Sequence, residues 1–326
     1  MNEIIKNRSE ILFIYDVTDA NPNGDVDENK PRIDEETGYN IVTDVRLKRT
    51  IRDYLHDFKG QEIFVREERD EEGNLRTRED IYEEYGSPEE VIKRCIDIRL
   101  FGGTFALKKK EDRKKKSKEG EEEKPTERAF ALTGPVQFKF GRSLHRVGEP
   151  ALFKGATVMP SKEKKGAGTF WETYILPYSL IAFYGIINEN AAKYTLLTEK
   201  DVVLLLDGIW NGTKNLITRS KVGQVPRLLL QVIYKENNYH IGELDHRIRL
   251  VKNDESKRDE EIRRIEEVKL DVTELVKVLE ENKDKIEKIR YKKDKYLEIV
   301  KNGQKIEINE LVEGVNFEEL NFENIN

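Results

Sequence analysis

The sequence predicts an α+β fold in which strands alternate with amphipathic helices. A β-branched and aromatic run at residues 10–17 indicates a strand, and the apolar spacing after Thr43 indicates a helix. The same order returns with an apolar strand at 174–187 and a helix capped by Thr198, and residues 225–234 indicate the strand that follows. Two strand-and-helix halves are typical of a ferredoxin-like, or RRM-like, sheet with helices on one face.

The first predicted helix has an apolar face and a basic face. Its apolar residues recur at helical spacing: Leu47, Ile51, Tyr54, Leu55 and Phe58. Its opposite face carries basic residues: Arg46, Arg49 and Arg52, flanked by Lys48. Helix arginines commonly pair with acids four residues away, and Asp53 follows Arg49 at that spacing. The basic face is therefore either a nucleic-acid contact or a solvent face of ion pairs.

Another helix is predicted to begin at Ser87, where Ser-Pro-Glu-Glu forms a capping box with proline at the first helical position. Its expected buried residues are Val91, Ile92, Cys95 and Ile96. The helix ends before Phe101, and Gly102 and Gly103 follow. These glycines are either a helix C-cap or a loop whose backbone amides approach phosphate.

The remaining segments are more irregular. Residues 108–127 begin with eight Lys or Arg against two acids and continue with an acidic block, so we expect a surface loop there. Residues 130–140 are strand-like, and 143–170 form an irregular Gly-rich and Lys-rich insertion. Beyond residue 240 we expect short strands, a helix at 271–285 and an acidic tail.

The composition excludes several classes of protein. The 326 residues include 58 Lys and Arg against 64 Asp and Glu, and a single cysteine, so no disulfide framework or zinc cluster is expected. The sequence contains no Walker A motif, no dinucleotide-binding glycine motif and no catalytic histidine arrangement. Neither a signal peptide nor a membrane-spanning run is present. We therefore expect a cytoplasmic protein with no cofactor, no bound metal, no catalytic residue and no membrane partner.

One segment resembles a calcium-binding loop. Asp19-Ala-Asn-Pro-Asn-Gly-Asp-Val-Asp27 places oxygen-bearing side chains at alternate positions before a glycine. The position that needs a bidentate glutamate is occupied by Lys30, and a strand precedes the segment in place of a helix. A turn closed by its own Asn and Asp side chains is therefore favoured.

Two basic segments point towards nucleic acid. Residues 211–230 contain no acid and four basic residues: Lys214, Arg219, Lys221 and Arg227. Residues 136–172 contain seven Lys or Arg against three acids, with five Phe and Trp residues among them. Such mixtures suit single-stranded nucleic acid, because cations meet phosphates while rings stack on unpaired bases. A solvated charged face over an aromatic core remains an equal alternative.

Four stretches together resemble the Cas7 family, in the DevR-like branch that includes the type I-B and type I-C backbone subunits of the CRISPR Cascade complex. Each stretch is short, but they occur in the same order and spacing over most of residues 10–235. They are Asp16 to Asp25, Pro31 to Arg52, Asp97 to Gly103 and Leu176 to Leu180.

The resemblance implies an RRM-like palm at 1–240, with a peripheral fingers-type insertion at 60–127 and a thumb at 143–172. An extension at 241–326 would complete the palm. The family's role is non-catalytic: copies polymerise head to tail along the crRNA and present it for pairing with the target DNA strand. The implied partners are the crRNA, target DNA, further copies, and Cas5-like, Cas8-like and small subunits.

The resemblance also implies an RNA-binding set. Its expected members are Arg46, Lys48, Arg49, Arg52, Gly102, Gly103, Arg142, Met159, Lys162, Lys164, Lys165, Arg219 and Lys221. Met159 is either a wedge between bases or a contact with the neighbouring copy. Two rival functions stay open: a metal-dependent endoribonuclease of the type III kind that uses Asp25 or Asp27, and an interaction protein outside defence whose basic segments are only surface.

Overall fold

A computed structural model describes residues 3–107, 128–156 and 170–323. The expected loop at 108–127 lies outside the described residues, as do Met159, Lys162, Lys164 and Lys165. The helices are α1 (Asp44–Lys59), α2 (Arg78–Tyr85), α3 (Pro88–Arg94), α4 (Ile96–Phe101), α5 (Glu189–Thr195), α6 (Glu199–Lys214) and α7 (Thr273–Glu281).

The strands begin and end as follows. They are β1 (Ser9–Ala20), β2 (Tyr39–Val42), β3 (Gly102–Leu107), β4 (Arg128–Thr133), β5 (Val136–Phe138), β6 (Gly141–Arg146), β7 (Ala151–Ala156), β8 (Phe170–Ile187), β9 (Gln224–Tyr234), β10 (Arg249–Lys252), β11 (Val268–Asp271), β12 (Ile286–Lys293), β13 (Ile299–Lys301), β14 (Gln304–Lys305) and β15 (Phe317–Glu319). The mixture of helices and sheets confirms the predicted α+β class.

The main sheet is built around β1. Its strand order is β15-β12-β9-β1-β8-β6-β2, and β5 and β7 also pair with β8. β1 is antiparallel to both neighbours, with Phe13 opposite Phe183 on β8 and opposite Leu229 on β9. Because β1 is rich in β-branched and aromatic residues and is buried from Ser9 to Val17, it forms the centre of the sheet.

Helices cover one face of this sheet. Thr43 accepts a hydrogen bond from the amide of Arg46 and begins α1, and Thr198 forms a capping box that begins α6, as the sequence predicts. α1 contributes Ile51 and Leu55 to a core shared with α4, α6 and β1. Burial of these apolar faces holds both helices against the sheet.

The C-terminal segment covers the opposite face, which the sequence did not predict. Leu12, Leu228 and Leu230 of the main sheet share a core with apolar residues of the segment after residue 243, including Leu270 and Leu275. Helix α7 supplies part of that cover, and β12 pairs with β9 in the main sheet. The sheet is therefore buried on both faces.

A buried glutamate holds the start of this C-terminal segment. Glu10 on β1 is fully buried and accepts hydrogen bonds from the hydroxyls of Tyr184 and Tyr234. Its carboxylate also accepts the backbone N–H groups of Ile241 (2.9 Å) and Gly242 (2.8 Å). Four donors satisfy the carboxylate, so its burial is tolerated and the segment is held to the central strand.

The helix predicted to begin at Ser87 is two helices, α3 and α4. Cys95 is extended (φ −92°, ψ 111°), and the amide of Ile96 donates to the carbonyl of Glu62 at 3.1 Å. The break turns α4 so that Asp97 faces the backbone amides of Phe64 and Val65. The expected helix at 271–285 is also shorter: α7 ends at Glu281.

Two strand predictions also need correction. Residues 130–140 form β4 and β5 with an interruption at Gly134 and Pro135, because proline has no N–H to donate. Part of the insertion that was expected to be irregular is regular: β7 pairs with the first third of β8, from Ala151 opposite Ile175 to Ala156 opposite Phe170. We call these two paired segments the arm.

Phe58 is exposed although the helical spacing placed it on the apolar stripe. Its side chain is 59% exposed and stacks on Tyr54 with ring centroids 5.1 Å apart. Phe58 and Ile217 both line a cleft of about 430 Å³ beside α1, so no element of the described chain covers the ring. In the described residues, every helix is too short or too polar to cross a membrane.

Gly102 is expected to be far less replaceable than a glycine at an ordinary helix end. Its φ is 70° and ψ −170°, and a Cβ there would lie 2.1 Å from the carbonyl oxygen of Leu132. We expect Gly102→Ala to lower the free energy of unfolding by about 3 kcal/mol, measured by urea denaturation. Gly60→Ala, at a left-handed C-cap with open space around it, should cost about 1 kcal/mol. Equal losses would contradict this assignment.

Candidate nucleic-acid interface

Three segments meet where β1 leaves the sheet. The amide of Asn21 donates to the carbonyl of Ser220 (2.8 Å), and the amide of Thr18 donates to that of Gly223 (3.0 Å). The side-chain oxygen of Asn23 accepts from both the amide and the hydroxyl of Thr43. The end of β1, the start of α1 and the loop at 218–223 therefore form one unit, which we call the junction.

The turn after β1 is closed by its own side chains, as the sequence predicts. Asp25 accepts the backbone N–H groups of Glu28 (2.8 Å) and Lys30 (3.3 Å), and the amide group of Asn21 donates to the carbonyl of Asn29. The N–H of Glu28 is the main reason that the pKa of Asp25 is lowered. In the part of the chain that the structure describes, no group of three or more His, Cys, Asp or Glu residues is placed to hold a metal ion.

Arg46 and Lys221 bring two partly buried positive charges to the junction. Lys221 donates to the carbonyl of Asn21 at 2.5 Å, and Arg46 donates to the hydroxyl of Thr50 at 3.1 Å. Neither forms an ion pair with a carboxylate of the described residues. The acid that acts on Arg46 through space, Asp53, is bound to Arg49. We call Arg46 and Lys221 the junction pair.

The surroundings of the junction pair disfavour its charge. Burial, followed by the charge of Arg46, lowers the pKa of Lys221 to about 8. Burial also lowers the pKa of Arg46. Within the described chain, two buried atoms here meet no hydrogen-bond partner: Nε of Arg46 and Oδ1 of the fully buried Asn21. The two cationic side chains supply donors that suit an anion with several acceptor oxygens, whereas Oδ1 of Asn21 is an acceptor.

Arg219 connects the junction to the arm. Its guanidinium lies over the ring of Trp171, 3.9 Å from the ring centroid. Trp171 stands opposite Gly155 in the β7–β8 ladder. A Cβ on Gly155 would lie 2.4 Å from the indole, so glycine leaves the space for the ring. The two basic segments predicted from the sequence therefore touch each other at this pair.

The other basic residues of α1 all have carboxylate partners. Lys48 binds Asp44 at 2.9 Å, and Arg49 binds Asp53 at 2.6 Å, the ion pair that the sequence left open. Arg52 binds the fully buried Asp97 at 3.0 Å, and its guanidinium also lies over the ring of Phe101. Arg49 is half exposed, whereas Lys48 and Arg52 are mostly buried.

The remaining predicted site residues lie in different places. Arg142 on β6 is half exposed and binds Asp34 at 3.1 Å. Gly102 follows Phe101, and the position of its missing Cβ is occupied by the backbone of β4 and Gly134. At Gly103 the corresponding space is limited by Ile98, 2.9 Å away. The close approach that these glycines permit in the described structure is to other parts of the chain.

Sequence reasoning missed several residues that organise the site. Asn21, Asn23 and Asp97 orient the junction and the α1–α4 contact, but each acts through partners far away in the chain. For Asn21 and Asn23 the sequence offered one signal, the Asn-Pro-Asn-Gly-Asp turn, because asparagine side chains in such turns commonly bind backbone groups.

Known proteins resemble this chain over most of its length. A profile of the family described as CRISPR-associated protein Cas7 matches residues 7–273. A protein of Haloferax volcanii named CRISPR-associated protein Cas7 is 36% identical over 311 residues, which are 90% of this chain and 88% of that protein. A chain of a solved "CRISPR RNA-guided surveillance complex, pre-nicking" superimposes with a TM-score of 0.52 at 13% identity, covering 96% of each chain. The structural likeness concerns the fold.

Arg52 and Arg49 should differ sharply in their effect on stability. Arg52→Ala leaves the fully buried Asp97 without its cation, and we expect a loss of about 3 kcal/mol in the free energy of unfolding. Arg49→Ala removes an exposed ion pair and should change it by about 0.5 kcal/mol or less. Urea denaturation of both variants provides the measurement. A larger loss for Arg49→Ala would contradict the division into supporting and exposed arginines.

Proposed function

The chain belongs to the CRISPR-associated Cas7 family, and from this premise we propose that it is the non-catalytic backbone subunit of a type I Cascade. In this role it polymerises along the crRNA and presents it for pairing with target DNA. The observation that carries the proposal is the junction pair, two desolvated cations without a carboxylate partner among the described residues. A nucleic-acid phosphate would supply the missing counter-charge.

We propose that the central strands form an RRM-like palm. The order β9-β1-β8-β6, with α1 between β1 and β6 in the chain and α6 between β8 and β9, is the order of a ferredoxin-like sheet and supports this assignment. The arm corresponds to the base of the thumb at 143–172, residues 60–127 to a fingers-type insertion, and 241–326 to an extension that completes the palm through β12.

The RNA path proposed here runs past the junction and not across the sheet. An RRM commonly stacks bases on its open sheet face, but here the C-terminal segment fills that face with apolar side chains. The junction is polar and basic, and the arm begins beside it through the contact between Arg219 and Trp171. A single strand passing there would meet cations from three segments of the chain.

Within the predicted RNA-binding set we distinguish two groups. The residues proposed to contact RNA are Arg46, Arg49, Arg142, Arg219 and Lys221. The ion pairs that hold Arg49 and Arg142 lie at the surface and contribute little to stability, so an RNA phosphate can replace their carboxylates. The second group is proposed to support this surface through contacts within the protein; it consists of Lys48, Arg52, Gly102 and Gly103. Met159, Lys162, Lys164 and Lys165 stay predictions for the tip of the thumb.

The proposed partners follow from the same role. Further copies would assemble head to tail along the RNA, since a heterologous interface that does not close produces a filament. Cas5-like, Cas8-like and small subunits would complete the complex in the cytoplasm. In such a complex the protein subunits recognise the RNA by its backbone and shape, and base pairing between crRNA and target recognises the sequence.

We propose that the turn after β1 is structural and not a nuclease site. Asp25 supports this proposal because its Oδ1 is engaged by two backbone N–H groups of its own turn. We expect the assembled complex to leave complementary RNA intact in the presence of magnesium. Cleavage that disappears in an Asp25→Ala variant would establish the endoribonuclease alternative instead.

The junction pair should account for a measurable share of RNA binding. We expect the protein to purify with a discrete small RNA, and the double variant Arg46→Gln/Lys221→Gln to bind single-stranded RNA at least about tenfold more weakly. The slope of log affinity against log salt should fall by about 0.7 for each lost phosphate contact. Lys200→Gln, an exposed lysine in the first turn of α6, is the matched control. Equal affinity of wild type and double variant would refute the site.

RNA binding should weaken as the pH rises above about 8, because burial lowers the pKa of Lys221 to about 8 in the free protein. A bound phosphate favours the charged amine and raises this pKa, so the complex holds a proton that the free protein loses above pH 8. Affinity measured between pH 7 and pH 9.5 should show this fall. Lys221→Arg should remove it, since guanidinium stays charged throughout. A pH-independent affinity for wild type would contradict the role of Lys221.

A further inference from the structure

A fourth segment reaches the same end of the sheet as the junction. β12, β9 and β1 are adjacent and antiparallel in turn, with Lys293 opposite Leu228 and Gln224 opposite Val17. The residues after β12, at 294–297, therefore leave the sheet beside the residues before β9 and after β1. Neighbouring strands lie about 4.8 Å apart, and Leu228 stands opposite both Lys293 and Ile14, so the end of β12 lies about 10 Å from Ile14 of β1.

This segment has a defined conformation. Asp294 receives the guanidinium of Arg227 at 2.6 Å and the amide of Tyr296 at 3.1 Å, and its own amide donates to the carbonyl of Arg227. The amide of Leu297 closes the turn onto the carbonyl of Asp294 at 3.2 Å. Because Arg227 also binds the buried Asp16 of β1, the turn is held to the strand that leads into the junction.

The turn presents an aromatic ring and a cation to solvent. Tyr296 is 52% exposed, and the amine of Lys295 lies 4.8 Å from its ring centroid. Asp294, the acid of this turn, is bound to Arg227. Lys293 is turned inward, because its amine donates to the carbonyl of Leu297 at 3.2 Å. The turn therefore exposes an aromatic ring and a neighbouring lysine that a partner can contact.

We propose that Tyr296 and Lys295 form a second contact for single-stranded RNA, in which the ring stacks on an unpaired base and the amine binds a phosphate. This inference rests on the proposed function and extends it to the C-terminal segment, beyond the residues 7–273 that match the family profile. Tyrosine suits the role because every base has a π-face that a ring can cover.

Charge along this end of the sheet favours RNA over a protein partner. The segment at 211–230, which leads into β9 and includes Arg227, contains no acid and also carries Arg219 and Lys221. The exposed apolar residues between them, Val222 and Val225, are small. Exposed cations with isolated rings suit a polyanion, whereas protein interfaces are depleted of lysine at their centres.

The test compares two probes: a labelled oligouridylate and an abasic oligomer with the same phosphate backbone. With the full-length protein, Tyr296→Ala should weaken binding of the oligouridylate about tenfold, as one lost base stack does, and should leave binding of the abasic oligomer unchanged. Tyr296→Phe should bind both probes like wild type. Lys295→Gln should weaken both and lower the salt slope by about 0.7.

Tyr194→Ala provides the matched control, because Tyr194 is an equally isolated surface tyrosine, 74% exposed on α5. If Tyr296→Ala binds the oligouridylate like wild type while Arg46→Gln/Lys221→Gln does not, this inference fails and the proposed function stands. If wild type binds neither probe, both fail. Loss of self-assembly with unchanged RNA affinity of the isolated chain would assign the turn to a protein interface and overturn the inference.

Discussion

Arg227 bridges two carboxylates, and the arrangement of the basic surface depends on this bridge. It binds Asp16 of β1 at 2.8 Å and Asp294, after β12, at 2.6 Å. Because charges buried in this way require partners, β1, β9 and β12 are held in register where they leave the sheet. The junction on one side and the Tyr296 turn on the other are consequences of that alignment.

The basic residues of the chain divide according to whether the fold has already neutralised them. Arg227 and Arg52 are bound to buried acids and stabilise the structure, whereas Arg46 and Lys221 are desolvated without an acid among the described residues. Desolvation without compensation raises the free energy of the unliganded protein, and a polyanion relieves it. The net charge of −6 therefore says little about affinity for RNA.

Covering the second face of the sheet has a functional consequence. In a sheet with helices on one side, the other side is free for bases, but here Leu270 and Leu275 pack against Leu12 and Leu228. A ligand must then approach the ends of the strands and the loops that leave them. The arm, the junction and the turn at 294–297 lie among these loops, which is why we propose that nucleic acid binds at the rim of the sheet.

By itself, the sequence determined the α+β class, the central strands, the helix caps at Thr43 and Thr198, and the family, because these depend on local patterns of spacing and turn residues. It did not determine the break at Cys95 or the exposure of Phe58. It also did not determine which basic side chains lack a carboxylate partner among the described residues. Those features depend on partners far away in the chain, as Arg52 does on Asp97 and Lys221 on Asn21. Only the tertiary structure decided them, because burial and charge pairing arise when distant segments pack together.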